Sequence, residues 1–281
     1  MINFPIRKVG VVAPSGIFSR PRLQQSKALL QTWGIESLDA PNLYSEHLFM
    51  AGTHSERCAD LKWAISHPEI DLIWFARGGY GTVHLLDMID WSTLSKPVLG
   101  YSDATALLIH LYQNGQTALH GPVLHALNDH DTPQSQTAAR HYLKLGQFTD
   151  LEGDWLWGSK VPLQGPVTGG NLCVLSTLCG TPYAMRSKGH IVLLEEIAEP
   201  AYKIHRMLSQ LRLSGAFKGA LGIAFGELTQ CRMPHGATWT MEDVIIDALK
   251  PLDIPIYMNL PFGHGGQNIL WQYGHHIQLR A

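Results

Sequence analysis

The chain has 281 residues, a formal net charge of −2 with histidines neutral, 45% hydrophobic and 16% charged residues, which is ordinary for a globular protein and enough for two modest cores. No basic run exceeds a few residues, so neither nucleic acid nor an anionic membrane is expected as a partner. The leading MINFPIRKVGVVAPSG is broken by Arg7, Lys8 and Pro14, too soon for a signal-peptide core. No apolar run reaches membrane-spanning length, and a cytoplasmic protein is the expectation.

In chain order, Lys8 to Ala13 (KVGVVA) is a β-branched run ending at Pro14-Ser15-Gly16, a strand and a turn. Arg22 to Trp33 places Leu23, Ala28, Leu29 and Trp33 at helical spacing before Gly34. Arg57 to His67 reads as a second amphipathic helix and Ile70 to Phe75 as a buried strand. The turn Arg77-Gly78-Gly79-Tyr80-Gly81 and a helical VHLLDMI follow. Pro97 to Gly115 is again strand, sharp turn and helix, with Ser102 at the corner and Leu107, Leu108 and Leu111 on the helix. Strands and helices alternating through short loops predict a parallel, doubly wound, flavodoxin-like α/β sheet over residues 1–125.

The alternation loosens between Asn128 and Lys160, where HDTPQSQ, a helix-like AARHYLKLG and DLEGDWLWGSK are rich in polar residues. Residues 126–164 therefore read as a connection between domains. From Gly165 a second, strand-richer α/β domain is predicted, over 165–281. Its glycine turn leads into a small-residue helix (GPVTGGNLCVLSTLCGTPY), followed by a strand (HIVLLEEI) and a helix ending at Gly215. GALGIAFGEL, IPIYMNL and ILWQYGHHIQLR are read as strands, with MEDVIIDALK a helix between the first two.

Cys58, Cys173, Cys179 and Cys231 lack CxxC spacing and are expected to be reduced thiols. The 15 histidines form no HExxH pattern, and adjacent His275 and His276 would face opposite sides of a strand. Neither a metal nor a cofactor is expected.

Several residues carry chemistry in principle. Ser102 at a strand–helix corner has two readings: its hydroxyl or the Asp103 carboxylate caps the helix, or the hydroxyl is exposed beside backbone N–H donors as a nucleophile. The turns RGGYG (77–81) and TGGN (168–171) match neither the lysine-containing P-loop nor the dinucleotide fingerprint. Glycine there serves a tight turn, or, beyond the carboxyl end of a parallel strand, leaves N–H groups of Gly78 and Gly79 open to an oxyanion, with the N–H of Asp103 as a second donor. Glu195 and Glu196 end a strand and face opposite ways, as a solvated strand end or with one acid in a cleft. His264, in LPFGHGGQN, lies in a surface loop or in one thin enough for a close approach to its imidazole. A serine needs a base and the base an orienting carboxylate. The three would be drawn from both domains in the order serine, acid, histidine.

The ordered blocks VVAPSG, AGTHSERCADLKWA, FARGGYGTVHLLDMID, GYSDATALL, LHGPV, GGNLCVLSTLCGTPY, LLEEIAEPAYKIHRMLSQL and LPFGHG are similar to those of the serine LD-carboxypeptidases. This is the murein tetrapeptide carboxypeptidase group, which also includes the microcin-immunity peptidases. The resemblance implies Ser102 as nucleophile, Glu195 as acid, His264 as general base and an oxyanion hole from the N–H groups of Gly79 and Asp103. It further implies a homodimer that releases the terminal D-alanine from an L-configured centre of a murein tetrapeptide. Arg77 and Arg206 are candidates for the substrate carboxylate, because arginine offers a bidentate fork. The chain departs from the family pattern at His54, at Ala201 to Lys203 and at His205, away from the three catalytic candidates. Alternatives are a peptidase of peptidyl-nucleotide antibiotics and a non-catalytic two-domain binder of sugar or peptide. An amidotransferase-like hydrolase would need a cysteine at a strand–helix corner, and none sits there.

Overall fold

The computed structural model describes residues 4–128 and 133–280. The chain divides into two compact units: Met1–Thr149 with Asn268–Gln272, and Asp150–Gln267 with Tyr273–Ala281. The chain passes from one unit to the other after Thr149, after Gln267 and after Gln272.

In the first unit β1 (Lys8–Val12), α1 (Arg20–Thr32), β2 (Glu36–Asp39), α2 (His54–Ser66), β3 (Leu72–Phe75), β4 (Val98–Gly100), α3 (Thr105–Gln113), β5 (Ala118–His120) and α4 (Pro133–Leu145) follow one another. β1 to β5 are parallel, in the spatial order β5-β4-β3-β1-β2. That is the flavodoxin-like order, in which ligands bind beyond the carboxyl ends of the strands, near the β1/β3 switch point. All four residues of β3 are buried, as a sheet covered on both faces requires. Trp74 donates from its indole N–H to the Pro122 carbonyl at 2.7 Å. α2 starts at a capping box: Thr53 Oγ1 accepts from the Glu56 N–H, and Glu56 Oε2 accepts from the Thr53 N–H at 2.8 Å. The T-x-x-E spacing carries that start, three residues ahead of the helix read at Arg57. VHLLDMI, read as a helix, makes only a 3₁₀ turn at Thr82–Leu85. It begins at Gly81, whose φ is 129°, and Leu85, Leu86 and Ile89 are buried without a longer helix.

The second unit holds β6 (Asp154–Trp157), β7 (Leu163–Asn171), α5 (Leu172–Thr177), β8 (Ile191–Ile197), α6 (Ala201–Leu213), β9 (Gly222–Thr229), α7 (Met241–Leu249) and β10 (Ile256–Met258). The C-terminal segment ILWQYGHHIQLR, read as one strand, is divided at Tyr273-Gly274, where Gly274 has φ 79°. β11 (Trp271–Gln272) joins the first sheet antiparallel to β5, and β12 (His276–Leu279) the second, antiparallel to β7. Each sheet thus has six strands, but the three longest, β7, β8 and β9, belong to the second. These run parallel with β10, between antiparallel β12 and β6. TGGN, read as a turn, is the end of β7. Its glycines serve strand contact: a Cβ on Gly169 would lie 1.9 Å from the Leu193 carbonyl oxygen. Among the described residues no helix is long and apolar enough to cross a membrane.

Candidate active site

β4 runs into Gly100-Tyr101-Ser102-Asp103-Ala104, a 3₁₀ turn at Ser102–Ala104 and then α3. Ser102 has φ +63°, a left-handed conformation that costs a non-glycine residue on the order of 1 kcal/mol or more. The corner is tight because its neighbours are small. A Cβ on Gly100 would lie 2.9 Å from the Ala104 methyl, and one on Gly78 would lie 2.9 Å from Ser102 Cβ. Small residues two before and two after a left-handed serine are the geometry that a nucleophile elbow uses to lift a hydroxyl off the end of a sheet. The spacing Gly100–Ser102–Ala104 carries that signal in the sequence, beyond the strand–helix corner itself. The capping alternative fails, since neither the 3₁₀ turn nor α3 begins with a side-chain cap. The Asp103 carboxylate instead accepts from the Thr82 N–H at 2.9 Å, fully buried.

Gly78 and Gly79 follow β3, and Gly78 lies against the Ser102 turn. The Gly78 carbonyl accepts from the Gly16 N–H at 3.0 Å. Gly79 has φ +117°, and a Cβ there would lie 3.1 Å from the backbone of Gly16, so only glycine fits. The Gly79 N–H finds no acceptor among the described residues, as a donor awaiting an oxyanion requires. Arg77, exposed at the start of this loop, donates to the Ile17 carbonyl.

In the second unit Glu195 lies near the end of β8, opposite Asn171 of β7. The β8–β9 register shifts there: Leu194 pairs with Phe225 and Glu196 with Leu228, so Gly226 and Glu227 both oppose Glu195. Such a bulge re-aims side chains. Glu195 is fully buried, and its Oε2 lies 2.6 Å from His264 Nδ1, a short, charge-assisted separation. Glu196, on the opposite face, is buried as well. It accepts from the Asn171 side-chain amide at 3.2 Å and from the N–H groups of Cys173 at 2.7 Å and Ile197 at 2.8 Å. Neither acid is a solvated strand end. Burial raises the Glu196 carboxyl above its ordinary range, despite those donors.

His264 stands in the loop after β10, between Gly263, with φ +130°, and Gly265. A Cβ on Gly263 would lie 3.2 Å from Glu195 Cβ, and one on Gly265 would fall 1.0 Å from Glu227 Oε2. Bare backbone lets the imidazole come down on the acid. Burial alone would lower the His264 pKa, but the Glu195 carboxylate, by charge and by hydrogen bond, raises it above its ordinary value, with help from Glu196 and Glu227. A carboxylate on Nδ1 fixes the tautomer and leaves Nε2 as the proton-accepting atom.

The candidates therefore form two groups. Ser102, Asp103, Gly78 and Gly79 are brought together in the first unit, Glu195 and His264 in the second. Arg206 joins neither group. Its guanidinium stands over the Tyr202 ring at 5.2 Å, in a groove of α6 lined also by Cys179, His205 and Ser209, to which Glu195 and His264 do not contribute.

The LD-carboxypeptidase N-terminal domain matches residues 9–121 and the LD-carboxypeptidase C-terminal domain residues 164–279. The murein tetrapeptide carboxypeptidase of Pseudomonas aeruginosa is 30% identical over 280 residues, covering 95% of this chain and 91% of its own. A muramoyltetrapeptide carboxypeptidase from Oxalobacter formigenes has the same fold, at TM-score 0.84 and 24% identity, over 98% of this chain and 95% of its own. So does the microcin C7 self-immunity protein MccF, known from Escherichia coli, in its complex with glutamyl sulfamoyl guanosine. That likeness has TM-score 0.85 and 20% identity, over 98% of this chain and 93% of that one. A left-handed serine in one α/β unit and a histidine on a buried glutamate in the other thus sit in a peptidase fold. The chain belongs to the LD-carboxypeptidase family and is a peptidase.

Proposed function

We propose that the protein is a serine-type LD-carboxypeptidase that removes the terminal D-alanine from murein tetrapeptides. The observation that carries the reading is the 2.6 Å contact of His264 Nδ1 with the buried Glu195 carboxylate, in a chain whose β4–α3 corner holds a serine in the left-handed conformation. In this scheme Ser102 Oγ attacks the carbonyl carbon of the L-centre, and its proton passes to His264 Nε2. The tetrahedral oxyanion is held by the N–H groups of Gly79 and Asp103. The C–N bond then breaks and His264 returns the proton to the departing D-alanine amine. Water, deprotonated by His264, hydrolyses the ester and regenerates the serine. The scheme requires the two units to present Ser102 Oγ to Nε2. Arg77, beside the oxyanion loop, is the arginine we assign to the terminal carboxylate, in preference to Arg206 on its groove.

The name and 30% identity of the Pseudomonas relative support a murein peptide as substrate. The MccF fold supports a second reading, a peptidase of peptidyl-nucleotides. The test is D-alanine release from a murein tetrapeptide by the wild type and by Ser102→Ala, Glu195→Ala and His264→Ala, with an aminoacyl sulfamoyl nucleoside in parallel. The reading predicts D-alanine release that each substitution abolishes. Full activity of Ser102→Ala sinks the scheme, and cleavage of the nucleoside alone replaces the substrate. The proposal also takes the working unit as a cytoplasmic homodimer; a monomer mass by light scattering removes that part.

A further inference from the structure

Arg57 is 1% exposed, yet among the described residues it forms no ion pair. Burying a guanidinium without a paired carboxylate is costly, and here all its side-chain hydrogen bonds are with loops at the carboxyl end of the first sheet. Nη1 donates to the Gly81 carbonyl at 2.9 Å and to the Pro14 carbonyl, and Nε donates to the Gly52 carbonyl at 3.2 Å. Nη2 rests on Met50 Sδ at 3.2 Å. Pro14 follows β1, Gly52 precedes α2 and Gly81 closes the glycine loop after β3. One planar fork thus ties three loops, which a lysine ammonium cannot do with the same directions. Gly81 is shaped to it: with φ +129°, a Cβ there would lie 2.8 Å from Nη1.

The span so fixed is short. The Gly78 carbonyl is held by the Gly16 N–H, the Gly81 carbonyl by Arg57 and the Thr82 N–H by the Asp103 carboxylate at 2.9 Å. Thr82 Oγ1 in turn lies 2.7 Å from Ser15 Oγ. Only Gly79 and Tyr80 lie between these anchors. Asp103 adjoins Ser102 in the chain, so its hydrogen bond with the Thr82 N–H ties the Ser102 turn to the loop.

We propose that Arg57 is a positioning residue of the reaction: by holding the Gly81 carbonyl it sets the Gly79 N–H at the spacing from Ser102 that the oxyanion needs. This rests on the serine mechanism proposed above. Losing one oxyanion donor costs about 10²–10³-fold in kcat, and a displaced donor loses part of that.

The experiment measures kcat per active serine, with sites counted by a fluorophosphonate, for the full-length wild type, Arg57→Lys and Arg57→Ala, with Ser102→Ala as reference. Arg57→Lys is expected to lose about 10–100-fold in kcat, with KM within about threefold and the acid limb of the pH profile in place. Added guanidinium is expected to restore kcat of Arg57→Ala saturably. Wild-type kcat per active serine in Arg57→Lys overturns the inference. A loss that appears only as fewer active sites, with guanidinium restoring none of the turnover per site, also overturns it, because that is a folding role. If Arg57→Ala does not fold, Arg57→Lys decides alone. Activity retained in Ser102→Ala instead removes the mechanism beneath the inference, so the two failures are told apart.

Discussion

The two groups of candidate residues, one in each unit, are held by different physics. On the nucleophile side backbone does the positioning: a serine at φ +63°, glycines that leave no room for a methyl, and carbonyls clamped by Gly16 and Arg57. On the acid–base side the positioning is by charge: a fully buried carboxylate 2.6 Å from an imidazole, with two more carboxylates raising its proton affinity. Strain suits an atom that must be presented at a fixed point. A charged hydrogen bond suits a group whose protonation must change and return. The nucleophile half should thus gain stability when its chemistry is removed, and the acid–base half should lose it.

Ser102→Gly tests the first clause and has the largest expected effect on rate. Loss of the hydroxyl removes the proposed nucleophile, worth about 10⁶-fold in kcat where a triad serine has been deleted. Relief of the left-handed strain should raise stability by up to about 1 kcal/mol, a rise in melting temperature of about 2–4 °C. D-alanine release and a melting curve give both numbers. A lower melting temperature in the glycine variant means that the corner stores no strain.

Glu195→Gln comes next. A carboxamide can offer an N–H to Nδ1 and so stabilise the tautomer with the proton on Nε2, the wrong one for a general base. The expected loss is about 10³–10⁴-fold in kcat, with little change in KM. Unlike Ser102→Gly, it should lower the melting temperature, because His264 loses its charged partner. A variant as stable as wild type would break the contrast between the halves.

What the sequence makes legible follows the same division. The strand–helix corner at Ser102 is local, so periodicity and small residues announce it. The closeness of Glu195 to His264 is not local. It depends on a bulge in β9 that sets two residues against one, and on Gly263 and Gly265 passing beside the acids; only family resemblance could pair two residues so far apart. TGGN reads as a turn in sequence because glycine-rich turns and glycines that let two strands touch look alike there. The two-sheet division of ILWQYGHHIQLR is invisible for a similar reason, since one apolar run serves two different neighbours.

Glycine substitutions probe how much of each half is backbone. A methyl at Gly79 meets the Gly16 backbone at 3.1 Å with φ +117°, and neither can yield without moving the oxyanion donor. Gly79→Ala should lower kcat about 10²-fold, the worth of a displaced donor. A methyl at Gly265 overlaps Glu227 Oε2, the far end of a flexible side chain, which can swing aside. Gly265→Ala should therefore cost about tenfold or less in kcat, on the scale of a small misplacement. Steady-state kinetics on both variants orders them, and the reverse order would mean that the His264 loop is the more rigid half.

The smallest expected effect lies in pH. In the proposed scheme His264 must be neutral to accept the serine proton, so kcat/KM should fall on the acid side with a limb above the ordinary histidine value of about 6.5. Glu227 is one of the carboxylates that raise that value. Glu227→Gln should move the limb toward lower pH by a few tenths of a unit, a small share of the roughly unit-scale shifts that neighbouring charges produce. Stability runs the other way. A histidine whose folded pKa is raised contributes stability that is complete below its unfolded value and is lost as pH rises through the folded one. Between those two values the wild type should thus gain activity while losing stability relative to His264→Asn, as paired melting curves and rate profiles would record. If the acid limb lies at or below about 6.5, the carboxylates do not act on the imidazole in the way that the 2.6 Å contact implies.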